Sequence, residues 1–423
     1  MTARLTRRGL LKAAGTIAPA LAAPAIITRP GWSQTGPIKI GSVEVLSGPA
    51  KYIGEGRATA IRAALDRVNA SGGVLGRQLT LVTADSEYKN DVAARRINDL
   101  LQGEKVDILG AFGGAIPVIA AKEAAKLKKI FINSAVSASD LTGPEFQTTT
   151  FSVAPNTDML ARGAAAYAAK SGKKKIFILS YDIATGRSMG ANFRKRFEAV
   201  KQADQQIVGE EYHPFARLTD FGPYITKVMA SGADLVFTPD LSIDQRRVIQ
   251  QGKELGWNVE LVGCYLNDPS NASALGDMTL GNVVVGAHQL CMDTPQNREW
   301  SKLWKEKYAT PDLFSRSVDS AIGLAISSHE WLGKVLKKAN SLDAEAIAKA
   351  WEGDKFDTLW GPAEMRGCDH QAQYALGVSR FVKPDEIPAE FRVFDFPYIK
   401  TIGSIPREEA SVPPAEAQNG RCV

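Results

Sequence analysis

Val106-Asp107-Ile108-Leu109-Gly110-Ala111, then Phe112-Gly113-Gly114-Ala115, then residues 116–128 and 130–133, is the stretch that decides the fold. The first run is short, apolar and strand-like. The glycine pair is a tight loop. Apolar residues at three-to-four spacing then mark a helix that leads into a second apolar strand. Strand, helix and strand in that order make a parallel pair covered by its own crossover. The alternation extends outward. Upstream, 38–46 and 78–83 read as strands, and 58–69 and 91–101 as helices, with Ile61, Leu65 and Val68 on one face. Ser71-Gly72-Gly73 stops the first of these helices, because glycine accepts the left-handed cap.

The pattern then restarts. Helices are expected at 159–170, 188–200, 221–230 and 245–255, and strands at 175–180, 206–212, 235–238 and 261–264. Residues 297–308, 315–338 and 344–352 read as helices, the last with Ser341 as N-cap. Residues 374–382 alternate like a strand. Two successive α/β units with parallel sheets, covered by helices on both faces, is the expected fold.

The chain has 423 residues, 44% hydrophobic and 23% charged, enough for two or three domains with real cores. Its net charge of +5 is local: residues 1–33 hold Arg4, Arg7, Arg8, Lys12 and Arg29 and no acid, which accounts for the whole surplus. The remainder is neutral and offers no basic footprint for nucleic acid. Thr6-Arg7-Arg8-Gly9-Leu10-Leu11-Lys12 resembles the twin-arginine export motif, and an apolar run broken by Pro19 and Pro24 follows. That run is too short and too interrupted to span a bilayer. Residues 1–33 are read as a removed signal peptide, cleaved after Gly31-Trp32-Ser33 or after Ala23-Pro24-Ala25. The competing reading is an amphipathic helix. Export through the twin-arginine machinery delivers a folded protein to the periplasm, where disulfides persist. The four cysteines Cys264, Cys291, Cys368 and Cys422 allow three pairings. A Cys368–Cys422 bond would tie down the Pro- and Glu-rich tail. Cys264 and Cys291 then remain, as a second pair or as two buried thiols.

Catalytic signatures are scarce. There is no P-loop, dinucleotide fingerprint, HExxH or CxxC, and His213, His288, His329 and His370 are isolated. No cofactor and no metal is expected; Cys368-Asp369-His370 suits a hinge or a disulfide better than a metal. The segments that follow the strands are small, polar or glycine-rich. Gly113-Gly114 before a helix offers backbone N–H groups to an anionic oxygen, or simply a tight turn.

Ile38-Lys39-Ile40-Gly41, Leu46-Ser47-Gly48-Pro49, Asn69-Ala70-Ser71-Gly72-Gly73-Val74-Leu75-Gly76-Arg77, Tyr181-Asp182 with Thr185-Gly186-Arg187-Ser188, and Leu359-Trp360-Gly361-Pro362 come in an order that resembles one family. It is the substrate-binding proteins of ABC importers of the branched-chain amino acid class. The resemblance runs from about residue 36 to 400. It implies a type I periplasmic binding fold: two doubly wound lobes joined by a three-segment hinge, closing on a ligand in the cleft. The lobes expected are 36–154 with 290–365, and 155–289 with 366–405, followed by a tail at 406–423. The resemblance also implies a monomer that docks on ABC permease subunits, although the same fold serves sensor receptors.

By position, the resemblance places the ligand carboxylate at Gly114, Ala115, Ala135 and Ser137, with Gly114 standing where amino-acid binders commonly have serine. Tyr52 is an aromatic wall. Thr185 stands where tyrosine is common, and Leu241 or its neighbour Asp240 lies on the next wall. Tyr265 falls where amino-acid binders commonly place a glutamate for the ligand's ammonium. A buried ammonium needs a carboxylate. The direct expectation is therefore a ligand without one: an aromatic or aliphatic carboxylate, or a small amide. An amino acid stays open if Asp240 or Asp268 supplies the acid.

Overall fold

A computed structural model describes residues 36–48, 50–417 and 419–422. The expected export segment, 1–33, lies outside the described residues. The first lobe is built from β1 (Ile38–Glu44), α1 (Lys51–Ala70), β2 (Leu79–Asp85), α2 (Asn90–Asn98), β3 (Ile108–Ala111), α3 (Ile116–Lys126), β4 (Ile130–Asn133) and β5 (Thr150–Ser152). Its five strands lie in the order β2-β1-β3-β4-β5, all parallel. The second lobe continues with α4 (Thr157–Lys170), β6 (Lys175–Tyr181), α5 (Ala184–Val200), β7 (Gln206–His213), α6 (Gly222–Ser231), β8 (Leu235–Thr238), α7 (Ser242–Glu254), β9 (Glu260–Gly263), α8 (Pro269–Leu275) and β10 (Val283–Gly286).

The chain then returns. Helices α9 (Pro295–Lys307), α10 (Ser320–Ala339) and α11 (Ala344–Trp351) cover the first lobe, with α10 lying along α1. Strands β11 (Lys355–Thr358), β12 (Gly361–Met365) and β13 (Ala372–Gln373) form a small antiparallel sheet. Finally β14 (Leu376–Val382) and β15 (Tyr398–Ile405) complete a seven-stranded sheet, order β15-β14-β10-β9-β8-β6-β7, and α12 (Arg407–Ala410) follows.

The doubly wound plan holds, with corrections. The second sheet is mixed, because β14 runs antiparallel to β10 and β15 antiparallel to β14. An antiparallel partner needs no crossover helix, so this end of the chain lacks the alternation that betrayed the rest. Residues 366–373 pack with the first lobe: β13 pairs with β12, and Gln371 bridges to Ser152. The last crossing to the second lobe therefore comes after Gln373 and not at 366. Helix α1 starts at Lys51 and not at 58. Gly54 and Gly56 disguise its first turns, yet Gly54 is required there, since a Cβ would sit 2.1 Å from the Val45 carbonyl oxygen. Asp343, not Ser341, caps α11, accepting from the N–H groups of Glu345 and Ala346. Asp319 caps α10, which accordingly begins at Ser320.

The cysteines divide. Cys368 and Cys422 form a disulfide, whereas Cys264 and Cys291 are separate buried thiols, so no second bridge exists between them. Trp300, Trp304, Trp331 and Trp351 are all core residues.

One ion pair lies at the centre of the first lobe. Arg57 of α1 and Glu44 of β1 are fully buried, with Nε–Oε2 at 3.1 Å and Nη2–Oε1 at 3.3 Å. Ser42 donates to Glu44 at 2.7 Å. Arg57 also donates to the Ser134 hydroxyl at 3.1 Å and to the carbonyls of Ser134 and Ala321 at 3.3 and 3.5 Å. Its guanidinium lies 5.0 Å from the centroid of the Phe112 ring. Removing one member of such a pair strands a buried charge, which costs about 3–5 kcal/mol. Arg57→Met is expected to lose that much in urea unfolding, and Glu44→Leu/Arg57→Met together to recover much of it. Equal losses in the single and double variants would show that the pair itself is not the source.

Candidate functional site

Side chains from the two lobes meet at the carboxyl ends of the parallel strands. The Tyr52 hydroxyl of α1 donates to Asp268 Oδ2 at 3.4 Å. The half-buried Tyr265, just after β9, reaches the Ser137 side chain from across the gap. Tyr398, at the start of β15, donates to the Asn267 carbonyl at 2.6 Å and contacts the Asp319 carboxyl at the head of α10. These contacts place Tyr52, Ser137 and Tyr265 around one inter-lobe space.

On the first lobe, Gly113 and Gly114 both have positive φ, +107° and +49°, which only glycine adopts freely. The turn leaves Gly114 and Ala115 exposed at the start of α3, whose N-terminus has no side-chain cap. No protein acceptor among the described residues takes the N–H of either. An anionic oxygen is well matched there, with the partial positive charge of the helix end behind it. Ala135 behaves otherwise. Its N–H turns toward Asn133 Oδ1 at 3.4 Å, as that of Val136 does at 3.1 Å, so Asn133 orders the loop and Ala135 offers no free donor.

On the second lobe, Asp240 is fully buried. Both its oxygens lie 3.0 Å from His213 Nε2. Burial alone would lower the His213 pKa; the Asp240 carboxylate outweighs burial, and the net direction is up. Asp240 is therefore committed to His213 and withdrawn from the cleft. Asp268 is the acid at the lip: Oδ1 accepts from the N–H and hydroxyl of Ser270 at 2.8 and 2.7 Å, leaving Oδ2 with Tyr52. Leu241 is half-buried at the start of α7. Thr185 is exposed in the first turn of α5, not in a loop. Burial pushes the pKa of Tyr52 up to about 12 and that of Tyr265 up as well. Both phenols stay protonated as hydrogen-bond donors.

Two further tyrosines were not among the expected site residues. Tyr181, the last residue of β6, is 2% exposed, packs at a tilt against Phe215 with ring centroids 5.0 Å apart, and lies beside Tyr265 and Asp240; its hydroxyl has no protein partner among the described residues. Tyr88 is 59% exposed and covers the glycine turn, so that a Cβ on Gly113 would lie 3.0 Å from its ring. The signal available for both was an aromatic residue at or just past the carboxyl end of a strand. Gly186-Arg187-Ser188-Met189-Gly190 has nucleophile-elbow spacing, but it lies within α5, and the Ser188 hydroxyl accepts from the Asn192 amide at 3.3 Å. The donors of Cys368, Asp369 and Cys422 cluster within 4.8 Å, yet the disulfide uses both sulfurs, so they hold no metal.

Residues 37–385 match the model of the periplasmic binding protein family. The chain belongs to that family: an extracytoplasmic binding protein, not an enzyme. Among curated relatives, the Leu/Ile/Val-binding protein homolog 4 of Brucella abortus (strain 2308) is 26% identical over 381 residues, 86% of this chain and 89% of the relative. Among solved structures, an amino acid ABC transporter substrate-binding protein from Pseudomonas fluorescens Pf-5 superposes with a TM-score of 0.77 at 18% identity, covering 89% of this chain and 96% of that one. A solute-binding protein of an ABC transporter from Rhodopseudomonas palustris BisB5, in complex with 3,4-dihydroxybenzoic acid, gives 0.74 at 20% identity, covering 88% and 97%. No described helix is long and apolar enough to cross a membrane.

Asp319 carries a pH signature. Burial raises its pKa from 3.8 to about 6. Hydrogen bonds from the Tyr398 hydroxyl and the Ser320 N–H oppose this rise, but burial outweighs them. The native state then holds a proton that the unfolded chain has released, so stability falls as pH rises from about 4 to about 6. Asp319→Asn keeps a capping side chain and cannot ionise. Relative to wild type it is expected to gain up to about 3 kcal/mol between pH 4 and 7, measured by urea unfolding. A pH-independent difference would refute this assignment.

Proposed function

We propose that this protein binds one small carboxylate that lacks an ammonium group, aromatic or aliphatic, between its lobes and passes it to the permease subunits of an ABC importer. In this reading it is exported by the twin-arginine route and works as a monomer in the periplasm. The ligand's carboxylate takes the N–H groups of Gly114 and Ala115 and the Ser137 hydroxyl. Tyr52, Tyr181 and Tyr265 supply ring faces and phenol donors. The observation that carries the reading is the fate of the acids. Tyr265 stands where an ammonium partner would be needed, and Asp240 is sealed against His213. The aromatic acid held by the Rhodopseudomonas protein supports the same ligand class.

A second reading keeps an amino acid, as the name of the Brucella relatives suggests. Asp268 favours it, because Oδ2 has only a 3.4 Å contact to Tyr52 and borders the cleft.

The two readings separate in thermal shifts of ligand-stripped protein against aromatic and aliphatic carboxylates, amides, and branched-chain and aromatic amino acids. A ligand at 100 times its Kd stabilises by about 2.7 kcal/mol. The expected result is a shift with carboxylates alone, weakened roughly tenfold or more in Kd by Tyr265→Phe through loss of a hydrogen bond to a charged group. If leucine or valine shifts the protein strongly, and Asp268→Asn abolishes that shift, the amino-acid reading replaces the first.

A further inference from the structure

The segment after β15 touches both lobes. Its first part lies mainly on the second lobe, although Arg407 also pairs with Glu364 of β12 at 3.0 Å. Glu409 pairs with Lys170 of α4 at 2.6 Å and Glu416 with Lys195 of α5 at 2.8 Å, while Ala410, Val412 and Ala417 are buried. Its last part lies on the first. Asn419 Nδ2 donates to the carbonyls of Thr142 and Cys368 at 3.1 and 3.2 Å. Arg421 Nη2 donates to Glu352, at the end of α11, at 3.1 Å, and its guanidinium sits 5.4 Å from the centroid of the Phe146 ring. Cys422 is bonded to Cys368.

Cys368 is itself anchored to the first lobe. His370, two residues on, stacks on Phe151 with ring centroids 4.1 Å apart, and its Nδ1 meets the Thr150 carbonyl at 3.0 Å. Gln371 Nε2 donates to the carbonyls of Ser152 and Ala154 at 3.3 and 2.9 Å. Arg366 reaches out from the same turn to the Val412 carbonyl at 2.6 Å.

The backbone itself crosses between lobes three times: after β5, between β10 and α9, and between β13 and β14. A segment docked on the second lobe at 409–416 and covalently held to the first at 422 is mechanically a fourth crossing. We propose that residues 406–417 and 419–422 form a strap, closed by the Cys368–Cys422 disulfide, that limits how far the lobes swing apart and thereby sets the open fraction of the ligand-free protein. The exposed ion pairs contribute little each, so the covalent end and the buried alanines and valine give the strap its strength. Opening must peel the strap off α4 and α5 or strain its anchored end. A protein held nearer its closed form binds more tightly, because apparent affinity scales with the competent fraction.

The inference rests on the inter-lobe binding reading, since a cleft is what makes the hinge matter, but its test needs no ligand. Dyes are attached through azido-bearing unnatural residues at exposed Arg95 of α2 and Lys227 of α6, and single-molecule energy transfer is read on the full oxidised chain. Cys422→Ser, and wild type under reductant, are expected to give longer and broader inter-lobe distances. Glu409→Gln/Glu416→Gln, with the bond intact, is expected to move the same way by less. Distributions that match oxidised wild type in all three, with circular dichroism showing native folding, overturn the strap. If Cys422→Ser does not fold, reduced wild type and the glutamine pair decide. A wider distribution in a protein that binds no member of the ligand panel keeps the strap and sinks the ligand reading alone.

Discussion

The first lobe depends on one buried charge pair. Glu44 ends β1, and Arg57 rises from the helix that follows it. Removing both ions from water is expensive, and the cost is offset only because nearly every donor and acceptor is used. The partners are informative. Ser134 belongs to the loop after β4, and Ala321 to the first turn of α10, which the chain reaches only after completing most of the second lobe. A single guanidinium therefore fixes the end of β1, the loop that carries Ser137, and the returning helix capped by Asp319. The loop after β4 need not be stiff in itself, because it is pinned from behind.

In front of that pin, the cleft is lined by phenols more than by charges. Tyr52 and Tyr265 each reach a polar side chain of the opposite lobe. Burial keeps them protonated, so they act as neutral donors that a ligand can take over without any change in ionisation. The acids nearby have different fates: Asp240 is consumed by His213, Asp319 accepts from Tyr398, and Asp268 stands at the edge beside Tyr52. That division explains why the choice between a carboxylate and an amino acid turns on one side chain.

The alternation of apolar runs and amphipathic segments made the two-lobe plan legible, because buried parallel strands are nearly continuous runs of Val, Ile and Leu. The end of the chain was less so. In β15, Thr401, Gly403 and Ser404 interrupt the pattern, and an antiparallel strand needs no helix to announce it. Arg57 and Glu44 were invisible for a related reason. A charge in a helix or at a strand end ordinarily faces water, and nothing local marks the exception. Tyr52, Ser137 and Tyr265, which the structure brings around one inter-lobe space, were singled out through the family likeness. Asp268 had been noted only as an alternative acid. Its contact with Tyr52 joins residues 216 positions apart, and such a pairing leaves no trace in periodicity. Ala135 failed as a donor because Asn133, two residues earlier, folds back on it.

Once formed in the exported protein, the disulfide also matters to any later unfolding and refolding. Cys368 and Cys422 are separated by 54 positions, and both β14 and β15 lie between them. In the oxidised but unfolded chain these two strands already sit inside a covalent ring. Closing a ring of this size removes about 4 kcal/mol of chain entropy from the unfolded ensemble in the simplest treatment. The two antiparallel strands that finish the second sheet are the ones without a crossover helix to bring them home, and the ring shortens the search they must make.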